Sequence, residues 1–105
     1  MDGTVTRTIT LDTIREATSN VYALARRTPL VPLAPLAGGN ELPGRIHVKL
    51  ETLQPIGSFK IRGAANAVAA LTDKQLAEGV WTVSAGNAAQ GVAFAAQRAA
   101  ARCRV

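Results

Sequence analysis

The sequence has 105 residues, enough for one domain at most, and its 48% hydrophobic content belongs to a globular chain and not to a disordered one. A single cysteine, Cys103, excludes an internal disulfide and a thiol-built zinc site, and the single histidine, His47, leaves little from which to assemble a metal centre or a Ser-His-Asp triad. The net charge of +5 raises nucleic-acid binding, but Arg26 and Arg27 form a pair, Arg98, Arg102 and Arg104 cluster at one end, and no aromatic residues interleave with them, so no nucleic-acid partner is expected.

Residues 1–10, MDGTVTRTIT, lack the apolar stretch of a signal peptide, and no run approaches 18 apolar residues. The expectation is a soluble, cytoplasmic chain with no membrane partner. Only four residues are aromatic, so the core must come from Ala, Val, Leu and Ile. Apolar or small residues recur at Leu11, Ile14, Ala17, Val21, Leu24 and Ala25, a helical stripe with Thr10 or Asp12 as cap. Thr28-Pro29 ends it. Residues 30–36 are interrupted by Pro32 and Pro35, which suits an edge strand or an extended segment. A turn at residues 38–44 leads into a strand at residues 45–50, and the two strands can form a hairpin. His47, between Ile46 and Val48, reads as a strand residue facing solvent or making a hydrogen bond.

Gln54-Pro55-Ile56-Gly57 is a turn, and Ser58 is a good N-cap for a helix running to about Leu71. Residues 72–79 read as a short helix ending at Gly79, with Thr72 or Asp73 as cap. Residues 80–84, VWTVS, read as a short buried strand, followed by Ala85-Gly86 and a helix from about Asn87 to Arg102. The order strand, small-residue turn, helix therefore occurs twice, which favours an α/β fold with a parallel sheet.

Lys60 falls in the first turn of the predicted central helix, where free N–H groups disfavour a cation by roughly 0.3–1 kcal/mol. Flanking Phe59 and Ile61 offer an apolar wall, and desolvation acts in the same direction. Both effects favour the neutral amine, the form that attacks an aldehyde. The competing reading is a helix-start lysine whose stem lies on apolar surface while its head reaches water. The second loop makes its own argument: N–H groups at a helix start attract anions, and Gly86 lets a ligand approach the backbone closely. For Asn87 the residues leave open an ordinary N-cap or a ligand contact, and for Phe59 a core ring or a cofactor contact.

The segment Gln54-Pro55-Ile56-Gly57-Ser58-Phe59-Lys60-Ile61-Arg62-Gly63-Ala64 resembles the cofactor-lysine motif of the threonine dehydratase and serine racemase family, in the tryptophan-synthase-beta-like group of pyridoxal phosphate enzymes. Ser84-Ala85-Gly86-Asn87-Ala88-Ala89-Gln90-Gly91-Val92-Ala93 resembles that family's substrate-carboxylate loop, in the right order and at a suitable distance. Arg27-Thr28-Pro29-Leu30 and Val48-Lys49-Leu50-Glu51 agree more weakly, and the resemblance runs from about residue 11 to the last residue.

The resemblance implies an α/β fold that is the truncated N-terminal part of a two-lobed enzyme. Residues 1–72 would belong to the larger, cofactor-lysine lobe, 73–79 would be a linker or short helix, and 80–105 would begin the smaller lobe. It implies pyridoxal 5'-phosphate as cofactor, bound through Lys60, with Phe59 packed against it and the Asn87 amide on its phenolic oxygen. Ser84, Ala85, Gly86, Asn87, Ala88 and Ala89 would hold the carboxylate of a small amino-acid substrate. The implied reaction is β-elimination from threonine or serine, giving a 2-oxo acid and ammonia, with Lys60 as base. Full-length relatives would be homo-oligomers.

Departures select a branch of the family. The racemases carry a serine just before the loop glycine as second acid/base, whereas Ala85 cannot hold a proton, so elimination is expected. Ala88 replaces the usual histidine after the loop asparagine. Ile61-Arg62-Gly63-Ala64 fits the dehydratases better than the cysteine and threonine synthases, which often place aspartate after the lysine. The family's glycine-rich phosphate cradle and the partner of its pyridine nitrogen have no candidates here. The expectation is a fragment that does not turn over substrate by itself. The rival is a non-catalytic remnant or small interaction module, prone to association through exposed helix faces and strand edges.

Overall fold

The computed structural model describes residues 8–33 and 46–105. The expected turn at 38–44 and the ends of its flanking strands lie outside the described residues. The N-terminal stripe forms two short helices, α1 (Leu11–Glu16) and α2 (Thr18–Tyr22), with Ala17 serving both as the C-cap of the first and as the N-cap of the second. The break falls where Thr18, Ser19 and Asn20 follow one another, residues whose side chains compete for backbone hydrogen bonds. Of the two caps expected for α1, Thr10 is used, in a reciprocal capping box with Thr13.

Two strands follow, β1 (Leu30–Pro32) and β2 (His47–Lys49), paired antiparallel with Val31 opposite Val48. Leu33 N–H to the Ile46 carbonyl (2.9 Å) and Leu50 N–H to the Pro29 carbonyl (3.0 Å) extend the pairing at both ends. Pro32 is accommodated in a two-stranded edge arrangement, and His47 is exposed, both as the sequence suggests. A 3-10 turn (Glu51–Leu53) leads to the Gln54–Gly57 turn, closed by Gly57 N–H on the Gln54 carbonyl at 2.8 Å. Gly57 adopts φ 74°, a conformation that a glycine takes without steric cost.

The central helix α3 (Lys60–Ala69) buries Ile61, Ala64, Ala65 and Val68, a stripe at helical spacing. Next comes α4 (Asp73–Glu78), with a second capping box between Thr72 and Gln75 and Gly79 as C-cap at φ 95°. Then β3 (Val80–Trp81), α5 (Asn87–Arg98) and β4 (Cys103–Arg104) form a strand-helix-strand unit in which β3 and β4 run parallel, Val80 opposite Cys103. This is the parallel α/β element that the alternation predicts.

Two details differ from the sequence reading. The strand predicted over 80–84 is confined to Val80–Trp81, and it is not buried: Trp81 is 76% and Val83 88% exposed, because the described residues put no layer over them. The last helix ends at Arg98 and not near residue 102. Ala100 takes φ 53°, and Ala101 N–H reaches back to the Ala96 carbonyl at 2.9 Å, a Schellman-type stop that turns the chain into β4.

The core is the α3–α5 interface. Ala64, Val68 and Ala95 form its centre, with Leu24, Leu76, Val92 and Ala99 packed around them. Ala64 of α3 lies by Gly91 of α5, and Val68, one turn on, clusters with Ala95, so the two helices run in the same direction. Small residues at the contact allow this close approach. Among the described residues no helix is long and apolar enough to cross a membrane.

Candidate active site

Lys60 lies in the first turn of α3, as the sequence predicts, but it is the first residue of the helix and Ser58 does not cap it. The N-cap is Phe59, without a side-chain hydrogen bond, and Ser58 is instead buried. The Gly57 turn, pinned from inside by buried Gln54, carries Ser58 inward, and its Oγ has no hydrogen-bond partner among the described residues. A buried hydroxyl without a partner costs free energy, so a group supplied from outside the chain can satisfy it.

The apolar wall expected around Lys60 is half present. Ile61 is fully buried and belongs to the core, whereas Phe59 remains 59% exposed with its ring centroid 5.5 Å from Lys60 Nζ. Lys60 itself is exposed. Phe59 is therefore not an ordinary core ring; it stands beside the amine at the surface.

The second loop arrives at the same place from the other side. Gly86 is the N-cap of α5, Asn87 its first residue, and no side chain caps the helix. Asn87 thus does not serve as the N-cap. Within the loop the Gly86 N–H donates to Ser84 Oγ at 3.1 Å, and Ala85, Gly86 and Asn87 are exposed. A Cβ built on Gly86 would meet nothing within 4 Å, so its lack of a side chain leaves open space beside the backbone. One turn further along, Gly91 lies against the Lys60 backbone: a Cβ there would come within 3.1 Å of the Lys60 carbonyl oxygen. The start of α5 is thereby set about one helical turn, ~5 Å measured along the helix axis, from the level of Lys60.

A contrast among the helices is informative. Helices α1 and α4 carry complete capping boxes, whereas α2, α3 and α5 begin with no side-chain cap; α3 and α5 are the two that bring Lys60 and Asn87. Their free N–H groups point out of the same end of a parallel helix pair, an arrangement suited to anionic groups.

A polar cluster that the sequence reading did not identify is built around Arg62, two residues beyond Lys60. Arg62 donates from Nε to Glu51 Oε2 and from Nη2 to Glu51 Oε1, each at 2.8 Å, and from Nη1 to the Tyr22 hydroxyl at 3.1 Å. The Thr28 hydroxyl and the Gln54 amide also donate to Glu51. The Arg62 hydrogen bonds, aided by those from Thr28 and Gln54, hold the Glu51 carboxyl down at about 2, overcoming desolvation. The same bonds raise Arg62 further, and Arg62 lowers the Tyr22 phenol. Gln54 pairs with both backbone groups of Arg26, accepting from its N–H and donating to its carbonyl, each at 2.8 Å. Glu51 and Arg62 are eleven residues apart across a turn, where no helical or strand period signals a pair; only their place on either side of the lysine motif does.

Residues 21–105 match the model of the family described as pyridoxal-phosphate dependent enzyme. The chain is 43% identical over 100 residues to a catabolic L-threonine dehydratase of Staphylococcus aureus, covering 88% of this chain and 29% of that protein. It is 46% identical over 89 residues to an L-threonine ammonia-lyase of Thermotoga maritima, covering 85% of this chain and 22% of the relative. Among solved structures it superposes on maize serine racemase with a TM-score of 0.74 and 36% identity, over 89% of this chain and 29% of that one. For the processed threonine deaminase isoform 2 of Solanum lycopersicum the values are 0.68 and 34%, over 90% and 29%. The chain spans less than a third of the length of these relatives, and what it spans includes both the lysine motif and the Ser-Ala-Gly-Asn loop. With its tryptophan-synthase-beta-like architecture, it belongs to the family of pyridoxal-phosphate dependent enzymes.

Proposed function

We propose that this chain carries the cofactor lysine and the substrate-carboxylate loop of a pyridoxal phosphate-dependent ammonia-lyase that acts by β-elimination on a hydroxy amino acid, threonine or serine first. The observation that carries the reading is the meeting of two uncapped, co-directional helix starts, one beginning with Lys60 and the other backed onto it through Gly91. The partnerless Ser58 hydroxyl and the open space at Gly86 fit a bound cofactor and substrate. The names of the relatives, threonine dehydratase and threonine ammonia-lyase, support the same reaction class.

When bound, pyridoxal phosphate supplies an electron sink for the pair left as the Cα–H bond breaks. Lys60 Nζ would hold the cofactor, and as a free amine it would accept the Cα proton. The N–H groups of residues 84–89 would bind the substrate carboxylate, and the Asn87 amide and Phe59 would help hold the cofactor. Ala85 holds no proton, so that position supplies no second acid/base and loss of the β-hydroxyl is favoured over racemisation. In this reading residues 1–72 belong to the larger lobe, 73–79 link, and 80–105 open the smaller lobe.

The test is a visible absorbance scan of the purified chain with pyridoxal phosphate, before and after borohydride, followed by peptide mapping. A fixed adduct at Lys60, in clear excess over Lys49 and Lys74, is the expected result. Labelling spread equally over the three lysines overturns the reading. It would leave the rival, a non-catalytic interaction module, which the exposure of Trp81, Val83 and Val105 favours. Concentration-dependent self-association in sedimentation, without adduct selectivity, is the signature of that rival.

A further inference from the structure

Glu51 and Arg62 bracket Lys60 in the chain, and the structure joins them to each other. The two hydrogen bonds of 2.8 Å between their charged groups are of the bidentate kind, and the side chains are only 15% and 23% exposed. On the Glu51 side, Thr28 and Gln54 donate to the same carboxylate, and Gln54 fastens the turn to the backbone of Arg26. On the Arg62 side, the third donor goes to Tyr22, whose ring also lies 4.0 Å from the Arg27 guanidinium carbon. Lys49 donates to the Thr28 carbonyl at 2.9 Å, so it is engaged on the same segment. The residues on either side of Lys60 are thus fixed to each other and to 26–28, while Lys60 itself is exposed.

Electrostatics adds a second reason for the pair. Lys60 and Arg62 place two cations in the first turn of α3, the end where a cation is disfavoured and where no side chain caps the N–H groups. Glu51 offsets that of Arg62, and among the described residues no carboxylate pairs with Lys60.

We propose that the Glu51–Arg62 pair is a positioning device for Lys60: by clamping residues 51 and 62 together across the 54–57 turn it fixes where α3 begins and the direction in which the lysine stem leaves the backbone. Both are positioning residues and touch no substrate. The proposal deepens the reading of Lys60 as the cofactor lysine, and one arm of its test is independent of that reading.

The test uses the 105-residue chain with Glu51→Gln, which keeps the shape and removes the charge, and Arg62→Lys, which keeps the charge and removes the fork. In the first arm, without cofactor, amide hydrogen exchange is followed along the chain. The expected result is a loss of protection of about 10- to 100-fold confined to residues 54–62, the size of a charged hydrogen bond, with α5 unchanged. Protection unchanged at 54–62, or lost equally throughout α3 and α5, overturns the proposal, since the pair would then be inert or merely a general stabiliser. In the second arm, the borohydride-fixed adduct is mapped over Lys49, Lys60 and Lys74. Selectivity for Lys60 should fall in both variants, and selectivity retained in both overturns the proposal. If the unsubstituted chain has no selectivity, the cofactor-lysine reading falls and the exchange arm alone decides the clamp. Should Glu51→Gln fail to fold, Arg62→Lys carries both arms.

Discussion

Gly91 of α5 rests on the backbone of Lys60, so closely that a Cβ at position 91 would lie 3.1 Å from the lysine carbonyl oxygen, 3.2 Å from its carbon and 3.4 Å from the Ala64 Cβ. The opposing atoms belong to a helix backbone that cannot swing aside. Gly91→Ala would gain about 1 kcal/mol of helix propensity but suffer overpacking of about 1–3 kcal/mol, so the net effect is destabilising. Gly63→Ala is the control: it lies in α3 with nothing within 4 Å of its Cβ, and it should gain stability. Thermal unfolding of the two variants should move in opposite directions, by about 4–8 °C per kcal/mol for a domain of this size. If Gly91→Ala also raises the midpoint, the two helices are not packed as described.

The carboxyl of Glu51, lowered from its usual value to about 2 chiefly by the Arg62 hydrogen bonds, makes stability depend on pH in a defined window. A depressed carboxylate contributes fully above its unfolded value of about 4.5 and loses that contribution as pH falls through its folded value. The pair should therefore stabilise the chain at neutral pH by about 1.5–3 kcal/mol, and the difference between the unsubstituted chain and Glu51→Gln should shrink between pH 4.5 and 2. Urea unfolding midpoints at pH 7, 4.5, 3 and 2 measure it. A constant difference across that range would mean that Glu51 does not titrate with folding.

Ala100 ends α5 at φ 53°, where an L side chain is disfavoured by roughly 1–2 kcal/mol and glycine is not. After the extra backbone entropy of glycine is set against this, Ala100→Gly should still stabilise the chain, by about 0.5–1 kcal/mol, and leave adduct formation at Lys60 unchanged. A lower unfolding midpoint for this variant would contradict the Schellman-type ending.

Much of the fold was legible because it rests on local chemistry. Thr72 and Gln75 announce α4, Thr10 marks α1, Gly57 and Gly79 mark left-handed turns, and the alternation around residues 80–104 announces the parallel pair. What escaped depends on partners distant in sequence. Ser58 has the right chemistry for an N-cap, but the buried Gln54–Arg26 contacts set the turn that draws it inside. Val80 to Val83 is apolar enough for a buried strand, yet burial needs a covering layer, and sequence pattern cannot say whether the described chain supplies one. At the site, Lys60 and the Gly86-Asn87 helix start were readable as motifs. The Glu51–Arg62 pair was not, because a contact across an irregular turn leaves no period to read.

Gly86 offers the most direct trial of the carboxylate loop. Its Cβ position is empty, so unlike Gly91 it has no packing role within the chain, and Gly86→Ala should change the unfolding midpoint by no more than about 0.5 kcal/mol equivalent, as for other substitutions away from packed features. The space that a methyl group would fill is the space beside the uncapped N–H groups at the start of α5. In the unsubstituted chain, titration with L-threonine should shift the amide resonances of residues 84–89, and Gly86→Ala should abolish those shifts while the spectrum elsewhere is retained. An Asn87→Ala variant separates backbone from side chain: carboxylate binding through N–H groups survives it, because the amide side chain is assigned to the cofactor and not to the substrate. Shifts that persist in Gly86→Ala but vanish in Asn87→Ala would reverse these roles and make the Asn87 side chain, rather than the open backbone, the group that holds the carboxylate.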